Sequence, residues 1–311
     1  MATEHAGQMK IGIILPIAED DETHATPSYA DIRAVALRAE SAGFDSVWVF
    51  DHLLFRSPDE PTAGIWECWT ILASLAEATS RVQLGTLVMC VPFRNPALLA
   101  KMADTVDEIS GGRLILGLGA GWHQPEFDAF GVPFDHKVDR FEEALQIIVP
   151  LLREGKVDFT GAYYGAPDCE LRPRGPSARG PEILIASARP RMLQLTARYA
   201  DSWNTAWLGQ PTLLPERRAK LEAACAQQGR DPATLAVTVG VSVMTPRPGK
   251  TPDSPPSPDK QLFGSPNDVA AGLRAYADMG VAHLICSLDQ ATPEMVDWLA
   301  EALRIFRQGA A

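Results

Sequence analysis

Apolar residues recur along this chain in two alternating rhythms. Short runs of β-branched and other apolar side chains mark buried strands. Between them, apolar positions return every three or four residues, as on one face of a helix. The runs predict strands at Lys10–Leu15, Ser46–Phe50, Val82–Val88, Arg113–Leu118, Glu182–Ala186, Asp201–Ala206, Ala236–Met244 and Ala282–Ser287. The periodic stretches predict helices at Tyr29–Ala42, Trp66–Thr79, Pro96–Ile109, Val138–Leu152, Pro190–Tyr199, Pro215–Gln228, Pro266–Met279 and Pro293–Phe306.

Local punctuation supports these boundaries. Gly43, Gly111-Gly112, Gly229 and Gly280 stand where a helix ends in the left-handed region. Asn95-Pro96, Ser265-Pro266 and Thr292-Pro293 each put a polar cap before a helix-starting proline. Eight alternating units with short connections imply parallel strands, right-handed crossovers and closure into a single (β/α)8 TIM barrel of the α/β class. An open doubly wound sheet is the alternative, but no G-x-G-x-x-G opens the first helix. The expected organisation is a flexible tail over 1–9 and one barrel domain over 10–311.

Three segments interrupt the rhythm. Gly119–Lys137 is a long excursion after the fourth strand, and Lys156–Pro181 reads as a β-hairpin outside the barrel. The proline-rich stretch Arg247–Lys260 is predicted to be a mobile loop, with bounds at 245–262, either a lid over the barrel mouth or a surface insertion.

Composition narrows the partners. The 311 residues are 46% apolar and carry a net charge of −11, which disfavours a nucleic-acid partner but leaves room for a local anion pocket. Five cysteines without C-x-x-C spacing read as reduced thiols, and no histidine pair has metal-ligand spacing. Met1–Gln8 is polar, with no signal-peptide pattern, and no run is long enough to span a membrane. The predicted location is the cytoplasm.

In such a barrel, chemistry collects where strands end at the C-terminal face. The second strand ends in Asp51-His52, a candidate catalytic pair, with the alternative that Asp51 caps the turn and His52 satisfies it. After the fourth strand, Gly117 to Trp122 forms a glycine-rich loop that suits close approach to a ring or phosphate, or tight barrel packing. Glu126 reads either as an acceptor for a ligand's hydroxyl or ring N–H, or as a first-turn helix acid. Ser187-Ala188-Arg189, opening the helix at Pro190, suits an anion. Trp66, Trp69 and Trp122 are candidate apolar walls, although Trp66 and Trp69 at helical spacing also suit core or dimer contacts. His283, in an apolar strand, reads as a core residue.

Several stretches together resemble the bacterial luciferase-like superfamily of flavin- and deazaflavin-dependent oxidoreductases. They include AESAGFDSVWVFDH, RNPALLAKMADTVDEISGGRLILGLGAGW, PEFDAFGVPF, GAYY and PEILIASARPRMLQLTARYADSWN. The resemblance implies a (β/α)8 barrel with FMN or coenzyme F420, reactive in its reduced form, at the C-terminal ends of the strands. It implies that Asp51 and His52 contact the ring, with His52 as acid or base. It further implies that a bulged third strand with Leu87, Val88 and Cys90 backs the ring, with a cis peptide at Leu87–Val88. Ser187, Ala188 and Arg189 would hold the phosphate.

Two departures matter. Trp122 stands where F420-dependent sugar-phosphate dehydrogenases place a catalytic glutamate, and GWHQPEF with IWECW resembles FMN-dependent pyrimidine-ring-opening monooxygenases instead. Of an arginine–tyrosine pair that holds FMN in relatives, only Lys137 offers a partial replacement. The implied activity is a flavin-type oxidoreductase, with monooxygenation of a small organic substrate favoured. F420-dependent hydride transfer without oxygen, and non-catalytic flavin binding, are the alternatives. The implied partners are a separate flavin or F420 reductase and a second copy of the chain.

Overall fold

Parallel strand pairing organises the chain. In a computed structural model, which describes residues 9–20, 23–58, 60–246 and 256–309, the main sheet has eight principal strands. They are β1 (Lys10–Ile14), β2 (Ser46–Val49), β3 (Gln83–Thr86), β4 (Leu114–Gly119), β5 (Glu182–Ala186), β6 (Ser202–Leu208), β7 (Ala236–Val243) and β8 (His283–Leu288). Their order is β5-β6-β7-β8-β1-β2-β3-β4, and β4 pairs in turn with β5. This is the closed (β/α)8 fold that the alternation predicts, and every predicted strand is present within two residues at each end.

The helices are α1 (Tyr29–Ser41), α2 (Cys68–Ala78), α3 (Pro96–Ser110), α4 (Gln124–Phe130), α5 (Lys137–Glu154), α6 (Pro190–Tyr199), α7 (Leu214–Gln227), α8 (Pro266–Asp278) and α9 (Pro293–Gln308). Asn95, Ser265 and Thr292 cap α3, α8 and α9 through their side chains, as their sequence context predicts. Helix α4, inside the Gly119–Lys137 excursion, is too short to leave a periodic signal. Helix α2 begins at Cys68 with Glu67 as its N-cap, so Trp66 lies outside it, 47% exposed, while Trp69 is buried. The two tryptophans therefore do not share a helical face.

Contacts divide the chain into two units, 1–16 with 30–48 and 186–311, and 17–29 with 49–185. The core of the first includes Ile11, Ile13, Val47, Trp48, Val239, Val241, Leu284 and Ile285. Within it, His283 Nε2 lies 2.7 Å from Ser46 Oγ, which accepts the Trp48 indole N–H at 2.6 Å. The proline-rich stretch lies outside the described residues at 247–255. In the described end of the stretch, the carbonyls of Asp259 and Pro258 accept the N–H groups of Gly209 and Gln210.

The core of the second unit includes Leu84, Leu114, Leu116, Leu118, Phe141, Ile148 and Leu151. The predicted hairpin forms as Lys156–Thr160 paired with Gly165–Glu170, in a sheet of its own. Strand β3 pairs Leu84 with Leu114 and Gly85 with Ile115, and pairing resumes as Met89 with Leu118 and Cys90 with Gly119. The offset changes by one residue, which is a β-bulge. The Leu87–Val88 peptide inside it is cis, as the family resemblance implies. Among the described residues no helix is long and apolar enough to cross a membrane, and all five cysteines are free.

Candidate active site

Strand β2 is buried along its length, and the chain leaves it through Phe50 into Asp51 and His52. Asp51 does not cap a turn. Its buried carboxylate accepts the Cys90 N–H at 2.9 Å, Arg94 Nη1 and Nη2 at 2.6 and 3.2 Å, and the Cys68 thiol at 3.3 Å. Arg94 Nη2 also reaches Glu67 Oε1 at 2.5 Å, while Glu67 accepts the Trp69 and Thr70 N–H groups at the start of α2. One buried carboxylate thus ties the end of β2 to the residue that follows the β3 bulge.

Electrostatics agree with this layout. Burial by itself lowers the Arg94 pKa, but the Asp51 charge and its hydrogen bonds more than reverse that, so the guanidinium stays charged. Burial, and then the Asp51 charge, push the Cys68 thiol well up, and the same two causes push Cys90 up. Both are neutral thiols with little nucleophilic character. Asp51, Glu67 and Cys68 hold ligand-type atoms within 4.8 Å of one another, but Arg94 is bonded to both carboxylates and supplies the compensating charge.

His52 faces the other way. Its Nδ1 lies 2.9 Å from Glu126 Oε1, and Glu126 Oε2 accepts the Leu53 N–H at 2.8 Å. Glu126 sits in the first turn of α4 and is fully buried, so it is both the first-turn acid and the partner of His52. Phe55, on a two-stranded ribbon of Leu54–Phe55 and Ala63–Gly64, lies 4.6 Å from the His52 ring centre. Trp122 stands edge-on to His52 at 5.5 Å and is 65% exposed. His123 closes the group, 5.1 Å from Trp122 and 5.7 Å from Phe55, and its Nε2 accepts the Arg56 N–H. Three rings, those of Phe50, Phe55 and Trp122, and a buried carboxylate thus flank one half-buried imidazole.

The glycine-rich loop owes its composition to packing. A Cβ on Gly117 would lie 1.9 Å from the Thr86 carbonyl oxygen, and one on Gly119 would lie 2.6 Å from Val88. Gly121, at φ +77°, has Phe127 and the Cys90 sulfur at 2.6 and 2.7 Å from the same position. The loop is pressed onto the β3 bulge and α4, which positions Trp122 and Glu126.

A family profile described as luciferase-like monooxygenase matches residues 9–247. The chain belongs to the luciferase-like monooxygenase family. Among relatives of this luciferase-like chain is the pyrimidine monooxygenase RutA of Escherichia coli (strain SMS-3-5 / SECEC). It is 32% identical over 238 residues, which are 72% of this chain and 64% of the relative. The match therefore spans less than two thirds of that protein. An F420-dependent secondary alcohol dehydrogenase, in complex with an F420-acetone adduct, shares the fold with a TM-score of 0.78 at 19% identity, over 97% of this chain and 100% of its own. Riboflavin lyase RcaE, with modified FMN and riboflavin, does so with a TM-score of 0.79 at 15% identity, over 98% and 92%.

Within this luciferase-like chain, the remaining predicted residues are spread out. Leu87 is buried and Val88 half-buried in the β3 bulge. Lys137 begins α5 with its ammonium 3.7 Å from the centre of the Phe134 ring. Ser187, Ala188 and Arg189 belong to the other unit, at the start of α6, which has no side-chain cap. There the Ser187 hydroxyl is 2.8 Å from Thr196 Oγ1, while Ala188 and Arg189 are exposed. Sequence reasoning missed Arg94, Phe55 and His123. An arginine immediately before the Asn95-Pro96 cap was the available signal for Arg94; the ring contacts left none.

Proposed function

We propose that this chain is a flavin-type oxidoreductase that uses FMN to oxygenate a small organic substrate. The observation that carries this reading is the half-buried His52, backed by buried Glu126 and flanked by an exposed Trp122 at the end of a barrel strand. A flavin-type ring system is flat and apolar on its faces, with polar atoms along its edges. The residues here fit such a group: aromatic and aliphatic side chains offer flat contacts, and one imidazole nitrogen has no partner among the described residues.

Leu87, Val88, Cys90 and Trp122 would flank the ring, and His52 would stand beside it with Nε2 turned toward the substrate. When bound, the cofactor supplies two-electron reducing chemistry. The chain's own contribution is to hold the reactants, exclude water with Trp122 and Phe55, and handle a proton at His52 Nε2. Asp51 acts on this site by holding Cys90 and Arg94 in place. The uncapped start of α6, at Ser187–Arg189, is proposed to take an anionic group. A separate reductase would supply the reduced cofactor, and a homodimer is the proposed assembly.

A second reading, F420-dependent hydride transfer without oxygen, is favoured by the same free Nε2, since hydride chemistry at a carbinol needs a proton acceptor. Fluorescence titration with FMN and F420, each oxidised and reduced, separates the two. Preference for FMNH2 supports oxygenation, exclusive binding of F420 supports hydride transfer, and binding of neither sinks both.

A further inference from the structure

Glu126 is turned toward His52 and the amide that follows it. Its side chain is 1% exposed and both oxygens are used, one facing His52 Nδ1 and the other accepting the Leu53 N–H. A carboxylate only accepts hydrogen bonds, so Nδ1 carries the hydrogen. In the neutral ring, Nε2 then keeps its lone pair. No residue among those described bonds Nε2, and Phe55 and Trp122 pack on the ring so that its plane is held. By gripping both the imidazole and the next backbone amide, Glu126 fixes where His52 points and which of its nitrogens is basic.

We propose that Glu126 is a positioning residue that sets His52 as a proton acceptor at Nε2, so that the substrate presents an O–H or N–H to it. The proposal rests on the oxidoreductase reading for the reaction it serves. In the step itself, the proton passes from the substrate's oxygen or nitrogen to Nε2, and the bonding pair stays on that atom. The Glu126 carboxylate stays bonded to Nδ1–H and offsets the charge of the imidazolium. A substrate without such a hydrogen, such as a simple alkane or thioether, has nothing to give this nitrogen.

The test needs no cofactor. Protein labelled with 15N-histidine, studied near neutral pH by long-range 1H–15N correlation, reports which nitrogen of each neutral ring is protonated. The His52 signals are assigned by their loss in His52→Gln, which is needed because His123 accepts at Nε2 as well. Wild-type His52 is expected in the Nδ1–H form.

Glu126→Gln is expected to flip it. Glutamine has one acceptor and one donor group; the Leu53 N–H claims the acceptor, the amide N–H then faces Nδ1, and the ring hydrogen moves to Nε2. Glu126→Asp, acceptor-only again, restores the Nδ1–H form. An Nε2–H tautomer in the wild type overturns the proposal. So does an unflipped ring in Glu126→Gln protein that melts as the wild type does. If Glu126→Gln does not fold, the wild-type spectrum alone decides. Failure to bind FMN or F420 would sink the oxidoreductase reading and leave the tautomer result intact, so the two failures are distinguishable.

Discussion

His283 makes the chain sensitive to acid through its core. The Trp48 indole N–H donates to Ser46 Oγ, and burial keeps the His283 ring neutral, so the Ser46 hydroxyl is left to donate to Nε2. That nitrogen is therefore an acceptor. Burial, with a smaller contribution from the Lys10 charge, pushes its pKa down to about 3. The unfolded chain, with an ordinary histidine near ~6.5, takes up a proton across the window from there down to about 3, and the folded chain does not. Stability must therefore fall as pH drops through that window. At about 1.4 kcal/mol for each pH unit, the loss is about 2 kcal/mol by pH 5 and roughly 5 kcal/mol by pH 3. Against a typical total of 5–15 kcal/mol, that is enough to decide whether the fold survives.

The informative variant is His283→Gln, whose amide oxygen can still accept the Ser46 hydroxyl but which does not titrate. Thermal melts of both proteins from pH 7.5 to 4.5 would show the wild type losing ground on the variant below pH 6.5. The gap should change by about 2 kcal/mol between pH 6.5 and 5, on the order of 5 °C in Tm. Parallel pH profiles for the two proteins would refute the reasoning.

The Asp51–Arg94 pair should respond differently. Asp51→Asn leaves a buried guanidinium short of a counter-charge and is expected to cost about 3–5 kcal/mol, seen as a Tm drop on the order of 10 °C; Arg304→Gln, at an exposed pair with Glu301, should leave Tm unchanged. Burial works to raise the Glu67 pKa, but its bonds to the Thr70 and Trp69 amides and the Arg94 charge bring it below the ordinary value. Its contribution is therefore present above about pH 4.3 and lost as pH falls, and Glu67→Gln should flatten that part of the acid limb in melts. Trp122→Ala, at an exposed ring, should leave Tm unchanged while weakening binding of a flavin-type ring up to about tenfold, measured by titration.

Much of the fold was legible because each element carries its own local signal. Helix α6 and strand β5 match their predicted bounds residue for residue, the first started by a proline and the second a compact apolar run. Helix α4 was not legible, since seven residues hold too few turns to show a period. At the site, Asp51 and His52 stood out by their place at a strand end, but their partners did not. Glu126 and Arg94 lie 74 and 43 residues from the groups they bind, and the side-by-side pairing of β2, β3 and β4 brings them there. The glycines at the end of β4 were legible as a motif while their cause was not, because the Thr86 carbonyl and Val88 that exclude a side chain belong to β3 and its bulge.

If a flavin-type cofactor binds against His52, the imidazole itself can report it. In 15N-histidine-labelled protein, saturating FMN or F420, oxidised and reduced, should displace the His52 signals while leaving those of buried His283 in place. Unchanged His52 signals in protein that demonstrably binds the cofactor would put the ring elsewhere and contradict the account.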